Sequence, residues 1–286
     1  MRNGQIPNLA EFFTKSGKHW LGFLNRYKEA IEHLSSAKAY CRNLMSLDEW
    51  YHQELPMLVK SRRTSNLGAH LKKDELVKLT EYVLKKTTFR FNILKLAALN
   101  EEGLIVRITS EAFACIDKPD PSKTDISNAF DLLMQLDGVG IKVSSAILSV
   151  VSIDVPFIGE EIFRIVFDRK ITQISQSRNK LRDYEKALGF LRDKSDALNK
   201  TSNAYFMCSS GTRIVWTPQK CQDVAWAYLI INMRDLAKFK YYNRSGSRKL
   251  KRNQEMEDNY QRIRKLAVLR NRQKKDELGL VTFNIQ

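Results

Sequence analysis

The sequence predicts an all-α protein, and three observations support that fold class. Apolar residues recur every three to four positions along most of the chain, which is the spacing of one helix face. No convincing run alternates apolar and polar residues as a half-buried strand would. Hydrophobic residues make up 43% and aromatic residues 10% of the 286 residues, which favours a folded protein over a disordered one.

The chain is strongly basic. Lys and Arg total 48 against 32 for Asp and Glu, which gives a formal net charge of +16. This excess favours a polyanionic partner, nucleic acid first and an acidic membrane surface second, although charge can also serve solubility alone. No apolar stretch is long enough to cross a bilayer, so no membrane span is expected.

The cysteines and histidines do not show the spacing of metal ligands. The chain has no Cys-x-x-Cys pair and no two histidines at ligand spacing, so neither a metal site nor a cofactor is expected. No signal peptide is visible, and reduced thiols in a nuclear or, alternatively, cytoplasmic protein are the expectation. The residues concerned are Cys41, Cys115, Cys208, Cys221, His19, His33, His52 and His70.

The first two predicted helices follow a loose lead over residues 1–15. Helical spacing of apolar residues over 19–40 predicts one long helix, whose aromatic side chains are expected in the core. A second helix is expected from Leu47, with Ser46 or Asp48 as its cap. Pro56 is expected to kink or reset that helix, because proline removes an amide donor.

The third predicted helix covers residues 73–86 and ends in a basic, aromatic sequence. Its apolar face comprises Leu76, Leu79, Tyr82 and Val83. Basic residues with interleaved aromatics and hydroxyls suit a phosphate-facing loop, which makes Lys85, Lys86 and Arg90 candidate DNA contacts. Lysines that interact with the dipole at a helix C-terminus produce the same pattern, and the sequence does not choose between them.

Two further helices are predicted over residues 91–100 and 104–114, followed by a Pro-rich loop. The apolar run 126–134 then forms the first helix of a pair, with Thr124 or Asp125 as its cap.

The stretch that joins this pair reads Leu136-Asp137-Gly138-Val139-Gly140-Ile141-Lys142. Glycine reaches positive φ without steric cost and lets another backbone approach closely. The first amides of the second helix have no partner inside that helix, and with the helix dipole they form a natural anion site. In so basic a chain the expected anion is a nucleic-acid phosphate, and a purely structural turn is the alternative.

This stretch resembles the helix-hairpin-helix of the DNA glycosylase superfamily, with its Leu-x-Gly-Val-Gly-x-Lys hairpin and small residues in the second helix. The likeness covers roughly residues 48–235 and continues at Pro156, which precedes Glu160-Glu161-Ile162-Phe163-Arg164-Ile165. It implies a mostly helical, glycosylase-like fold that binds double-stranded DNA. The hairpin residues that the resemblance implies as DNA contacts are Gly138, Val139, Gly140, Lys142 and Ser144.

The resemblance also shows where catalysis would occur. Glycosylases of this superfamily flip a base from the duplex and cleave its bond to the sugar. Their catalytic Asp position falls on Gly159, so the expected acid is missing. Glu160, one residue further, is the candidate replacement, although the helix dipole alone also favours an acid there. Lys142 falls where bifunctional members carry the Schiff-base amine, but without the partner acid a phosphate contact fits it better.

The remaining segments complete the predicted domain. Helices are expected over residues 160–171 and 181–198, then an extended link or short strand near 213–216, then a last core helix opened by Pro218. The glycosylase-like domain is thus predicted to span residues 16–238.

Residues 239–286 are predicted to form a basic, flexible tail that becomes helical only when bound. The tail could contact nucleic acid, serve nuclear import or recruit protein partners, and a simple solvated tail is the alternative.

Three hypotheses for the function follow. The first is a DNA-binding protein with a glycosylase-like fold and little or no glycosylase activity. The second is an active glycosylase or lyase that uses Glu160 and Lys142. The third is a helical scaffold for protein partners.

Overall fold

The computed structural model describes residues 8–87, 91–167, 180–201 and 214–233. Within these ranges all regular secondary structure is helical and no strand occurs, which confirms the predicted all-α class. Arg90 and the predicted tail lie outside the described residues, as does the end of the helix predicted over 160–171.

The helices follow one another through short connections. The described α-helices are α1 Leu9–Thr14, α2 Gly17–Asn25, α3 Tyr27–Ala37, α4 Leu44–Glu49, α5 Leu55–Ser61, α6 Lys73–Lys86, α7 Phe91–Leu99, α8 Glu102–Ile116, α9 Lys123–Leu133, α10 Ile141–Leu148, α11 Glu160–Phe167, α12 Lys180–Thr201 and α13 Pro218–Asn232.

Aromatic side chains of the N-terminal helices pack against α13. The ring of Phe12 stacks on Trp20 with centroids 4.9 Å apart and on Tyr228 at 4.1 Å. Part of the segment expected to be a loose lead therefore forms α1 and contributes to the core. Trp20 is fully buried, as expected for a core aromatic.

The prediction of a single helix over residues 19–40 is wrong, because the helix is interrupted at Arg26, which separates α2 from α3. There φ is −99° and ψ is 8°, outside the α-helical region, and the amide donates to the Phe23 carbonyl at 3.2 Å. A 3₁₀ turn at Ala39–Cys41 follows α3. Apolar spacing alone does not reveal such a break, since neither Gly nor Pro marks it.

A single helical run spans residues 44–61 and contains a π-helical turn at Trp50–Glu54 between α4 and α5. Pro56 lies in the first turn of α5, directly after the π turn, where the expected reset occurs. The residue that precedes the run is Asn43, so the prediction of Ser46 or Asp48 as the cap is wrong.

The prediction for α6 is confirmed: it spans Lys73–Lys86 and all four predicted core residues are buried. The last core helix begins at Pro218 as predicted, with the Thr217 hydroxyl accepting from the Lys220 amide. The cap of α9 differs from the prediction, since Ser122 caps the helix and Asp125 completes the capping box.

Candidate functional site

The hairpin elbow, defined as residues 136–142, packs its inner side on α7. Gly138 has φ +76°, the left-handed region that favours glycine. A Cβ at this position would lie 2.6 Å from the Ile93 carbonyl oxygen and 2.7 Å from the Ala97 amide nitrogen. Gly138 is therefore required both by the turn and by the close approach of α7.

A buried side chain fixes the start of the elbow. Asn100, which follows α7, accepts a hydrogen bond from the Asp137 amide at 2.9 Å and donates one to the Asp137 carbonyl at 2.9 Å. The backbone amide and carbonyl of Asp137 are thus both satisfied by a single side-chain amide.

The outer side of the elbow is open. Gly140 is exposed, and a Cβ placed on it would meet no atom within 4 Å. It precedes α10, and no side chain caps that helix. Within the described part of the chain, the amides of Ile141, Lys142 and Val143 have no intrachain acceptor. This combination of donors and space is the arrangement that an anion requires.

Two predicted hairpin contacts lie inside the protein. Val139 is buried, and its amide donates to the Leu136 carbonyl at 3.2 Å. Ser144 is fully buried, so its hydroxyl is not presented to a ligand at the surface. The prediction of a surface contact at Ser144 therefore does not agree with its position.

The ammonium of Lys142 contacts the carboxylate of Glu160. The lysine lies in the first turn of α10 and the glutamate begins α11, so the pair joins two helix N-termini. The Lys142 side chain is 32% exposed and that of Glu160 only 5%. Glu160, the acid named from the sequence in place of one at Gly159, is thus the carboxylate that pairs with Lys142.

Glutamines of α13 hold the irregular segment 155–159 that leads into α11. The Phe157 amide donates to Gln219 Oε1 at 2.8 Å, and the Gly159 amide donates to Gln222 Oε1 at 3.1 Å. Because side chains satisfy these backbone donors, the segment stays buried without regular secondary structure. The segment fixes where Glu160 enters α11.

Steric crowding by Glu161 explains why position 159 is a glycine. The Glu161 carboxylate folds back over Gly159, and a Cβ at that glycine would overlap its oxygens. Glu161 is buried, and Gln222 Nε2 donates to its Oε1. Burial raises the pKa of Glu161 to about 7, against the opposing effects of its hydrogen bonds and the Lys86 charge. The space beside Gly159 thus already contains a carboxyl group, supplied by Glu161.

Lys86 lies in the interior. It is 1% exposed, and its ammonium donates to Asp223 Oδ1 at 3.1 Å and to the Tyr27 hydroxyl at 2.6 Å. Four aromatic rings surround the ammonium, with centroid distances from 4.8 to 6.0 Å: Tyr27, Tyr82, Phe157 and Trp226. We call Lys86, these four residues, Asp48 and Asp223 the Lys86 cluster.

The prediction that Lys85 and Lys86 face a phosphate does not agree with these positions. Lys85 is also buried, contacts Asn43 and pairs with Glu81 at 2.7 Å. Both ammonium groups are already neutralised inside the fold, and exposing them would leave acids unpaired. Arg90, the third residue of that prediction, is outside the described residues.

Sequence reasoning missed the acids of the Lys86 cluster. Asp48, predicted as a possible helix cap, accepts from the hydroxyls of Tyr27 at 2.6 Å and Tyr82 at 2.9 Å. Asp223, to which the sequence assigned no role, comes from α13. No local sequence pattern reveals the role of Asp48 or of Asp223, because their partners are distant along the chain.

No protein-family model, no curated protein and no solved structure matches this chain. In the ranges that the structure describes, no group of three or more His, Cys, Asp and Glu residues could hold a metal ion. No helix in those ranges is both long and apolar enough to cross a membrane.

Proposed function

We propose that this protein binds double-stranded DNA and grips one backbone phosphate at the outer side of the hairpin elbow. The observation that carries the proposal is the group of unpaired amides at the start of α10, beside open space at Gly140. Helix N-termini bind phosphate oxygens through such amides, and Lys142, which is 32% exposed and paired with Glu160, lies next to them. The net charge of +16 supports the same class of partner.

The helix beneath the elbow adds to this surface. The ring of Phe91 on α7 is 57% exposed, and the Lys95 ammonium lies 4.8 Å from its centroid. The backbone of the same helix approaches Gly138, so Phe91 and Lys95 lie on the helix that supports the elbow. A cation and an exposed aromatic are features of nucleic-acid interfaces.

The hairpin residues divide by role in this proposal. Gly138 and Val139 build the elbow from inside, whereas the exposed Gly140 and the backbone amides of Ile141 and Lys142 face the phosphate. Ser144, Lys85 and Lys86 are left out because they are buried.

The proposal is tested by measuring the affinity for a labelled duplex across a salt series, with Gly140→Glu as the variant. Affinity should fall steeply with salt, because each neutralised phosphate contributes a slope of about −0.9 in log K against log salt. Gly140→Glu places a carboxylate where the phosphate would bind and should weaken binding by about tenfold or more, which is at least about 1.4 kcal/mol.

Gly22→Glu is the matched control, since Gly22 lies on α2 and also has no atom within 4 Å of an added Cβ. It makes the same charge change far from the elbow in sequence. Equal affinity of the two variants would reject the phosphate grip. If the wild-type protein does not bind the duplex, only the scaffold hypothesis remains.

The contact between Lys142 and Glu160 favours a second candidate function, an active DNA glycosylase or lyase. A lysine acts as a nucleophile only after its ammonium loses a proton, and the Glu160 carboxylate is placed to accept it. The free amine would attack C1′ of an abasic sugar in its aldehyde form. Water leaves as the imine forms, and β-elimination then breaks the strand.

Borohydride trapping on a duplex with one abasic site tests this second function. The wild-type protein should form a covalent adduct, and Lys142→Gln should form none. Lys118→Gln is the control, because Lys118 is an exposed lysine that pairs with Asp125 on the surface. An adduct that persists in Lys142→Gln would exclude Lys142 as the nucleophile.

A further inference from the structure

Ser145 on α10 joins the backbone of Lys142 to the segment that leads into Glu160. Its hydroxyl donates to the Lys142 carbonyl at 2.9 Å and accepts from the Ile158 amide at 3.4 Å. Ser145 and Ile158 are both fully buried, so the bridge between them lies inside the protein. A single hydroxyl group therefore connects the first turn of α10 to the chain two residues before Glu160.

The amides on either side of Ile158 are also held by side chains, but from a different helix. Gln219 and Gln222, which accept from the amides of residues 157 and 159, both belong to α13. The middle amide of the three is bound to α10, the helix that carries Lys142. The glutamines therefore fix the segment against α13, and Ser145 fixes it against α10.

We propose that Ser145 is a positioning residue that keeps the Glu160 carboxylate in contact with the Lys142 ammonium. The two side chains come from different helices, so their contact depends on how the backbones of α10 and α11 are placed. Ser145 bonds both backbones close to the pair and does not touch the reacting atoms. The inference deepens the second proposed function and rests on it, because proton transfer between these groups requires hydrogen-bond distance.

The preceding residue, Ser144, provides a matched control on the same helix. It is also fully buried, but within the described part of the chain its hydroxyl has no hydrogen-bond partner. Ser144→Ala and Ser145→Ala therefore remove the same atom from neighbouring buried positions, and only the second change removes the bridge. Ser145→Thr is the rescue variant, because a threonine hydroxyl in a helix can still bond the carbonyl one turn earlier.

A double-mutant cycle of Lys142→Met and Glu160→Gln measures the pairing without DNA. Urea unfolding gives the factor by which the unfolding equilibrium constant of the double mutant departs from the product of the two single effects. We expect a factor of about three or more in the wild-type background, and a factor near one after Ser145→Ala. Ser144→Ala should keep the wild-type factor, and Ser145→Thr should restore most of it. A loss of stability alone would not change this factor.

Borohydride trapping on the abasic duplex separates positioning from DNA binding. At saturating duplex, Ser145→Ala should form the adduct more slowly than the wild-type protein by about tenfold or more, because the acid and the amine are no longer aligned. Its affinity for the duplex should change by less than about twofold, since the amides at the start of α10 remain. Ser144→Ala should match the wild-type protein in both measurements.

The inference is overturned if Lys142 and Glu160 show no coupling in the wild-type background, or if Ser145→Ala keeps the wild-type factor. Should Ser145→Ala fail to fold, Ser145→Cys takes its place in the same cycle, because a thiol keeps the shape of the side chain but bonds weakly. A wild-type protein that forms no borohydride adduct rejects the lyase function alone, since the cycle is measured without DNA.

Discussion

The side chain of Asn100 and the backbone of Asp137 exchange two hydrogen bonds of 2.9 Å across 37 positions of the chain. Asn100→Ala removes both and leaves the Asp137 amide without that partner. We expect the free energy of unfolding to fall by about 1–3 kcal/mol. Urea unfolding measures it, with the exposed Asn66→Ala as a control near zero. Equal losses in the two variants would contradict the role of Asn100.

The two glycines of the elbow should respond differently to the same substitution. Gly138→Ala forces a side chain into positive φ and against the α7 backbone, and should cost about 1–3 kcal/mol of stability. Gly140→Ala meets open space at φ −114° and should change stability by less than about 0.5 kcal/mol. Thermal or urea unfolding of both variants tests the difference. A tolerated Gly138→Ala would disprove the close packing.

Lys86→Met should destabilise the protein strongly. The change removes the cation but leaves the Asp223 and Asp48 carboxylates partly buried, a situation that typically costs about 3–5 kcal/mol. Urea unfolding gives the value. Adding Asp223→Asn to Lys86→Met should recover part of the loss, because it removes one unpaired charge.

Lys118→Met is the control for that series, since Lys118 is an exposed lysine in a surface ion pair. Surface pairs contribute at most about 1 kcal/mol. A loss no larger in Lys86→Met than in this control would show that the buried ammonium does not stabilise the fold.

Stability should depend on the ionisation of Glu161. Its pKa rises from an ordinary value of 4.5 to about 7 in the folded protein, so the folded state binds more protons between these values. Its contribution to stability is therefore complete below about pH 4.5 and is lost as pH rises through about 7. The loss at alkaline pH is on the order of 3 kcal/mol.

Glu161→Gln tests this dependence, because it cannot ionise. Urea unfolding from pH 5 to 8 should show a downward slope for the wild-type protein that is reduced in the variant. Glu111→Gln, which changes an exposed acid, should keep the wild-type slope. Parallel curves for the wild-type protein and Glu161→Gln would contradict the raised pKa.

Sequence patterns predicted elements that depend on local chemistry. The bounds of α6 and the start of α13 at Pro218 follow from apolar spacing and capping residues, and both are confirmed. Patterns were less informative where the backbone departs from a helix without Gly or Pro, as it does at Arg26. They also misplaced the cap of α9, since Ser122 lies earlier than the predicted Thr124 or Asp125.

Only the part of the site that neighbouring residues encode could be predicted from the sequence. The hairpin glycines and Lys142 form a local motif, whereas the burial of Lys86 depends on Asp223, 137 positions away. Glu160 and Lys142 were both candidates from the sequence, but their direct contact joins two helices and could not be read from residue spacing. A side chain that folds back over its neighbour, as Glu161 does, leaves no trace in residue spacing.

The Lys86 cluster also bears on how the chain folds during synthesis. Its ammonium reaches Tyr27 on α3 and Asp223 on α13, so it is complete only after nearly all of the described helices have emerged from the ribosome. Until then α6 carries a cation that lacks one of its carboxylate partners. Such long-range closure slows folding and prolongs exposure of the surrounding aromatic rings. Nascent chains that stall before α13 should therefore aggregate and depend on chaperones.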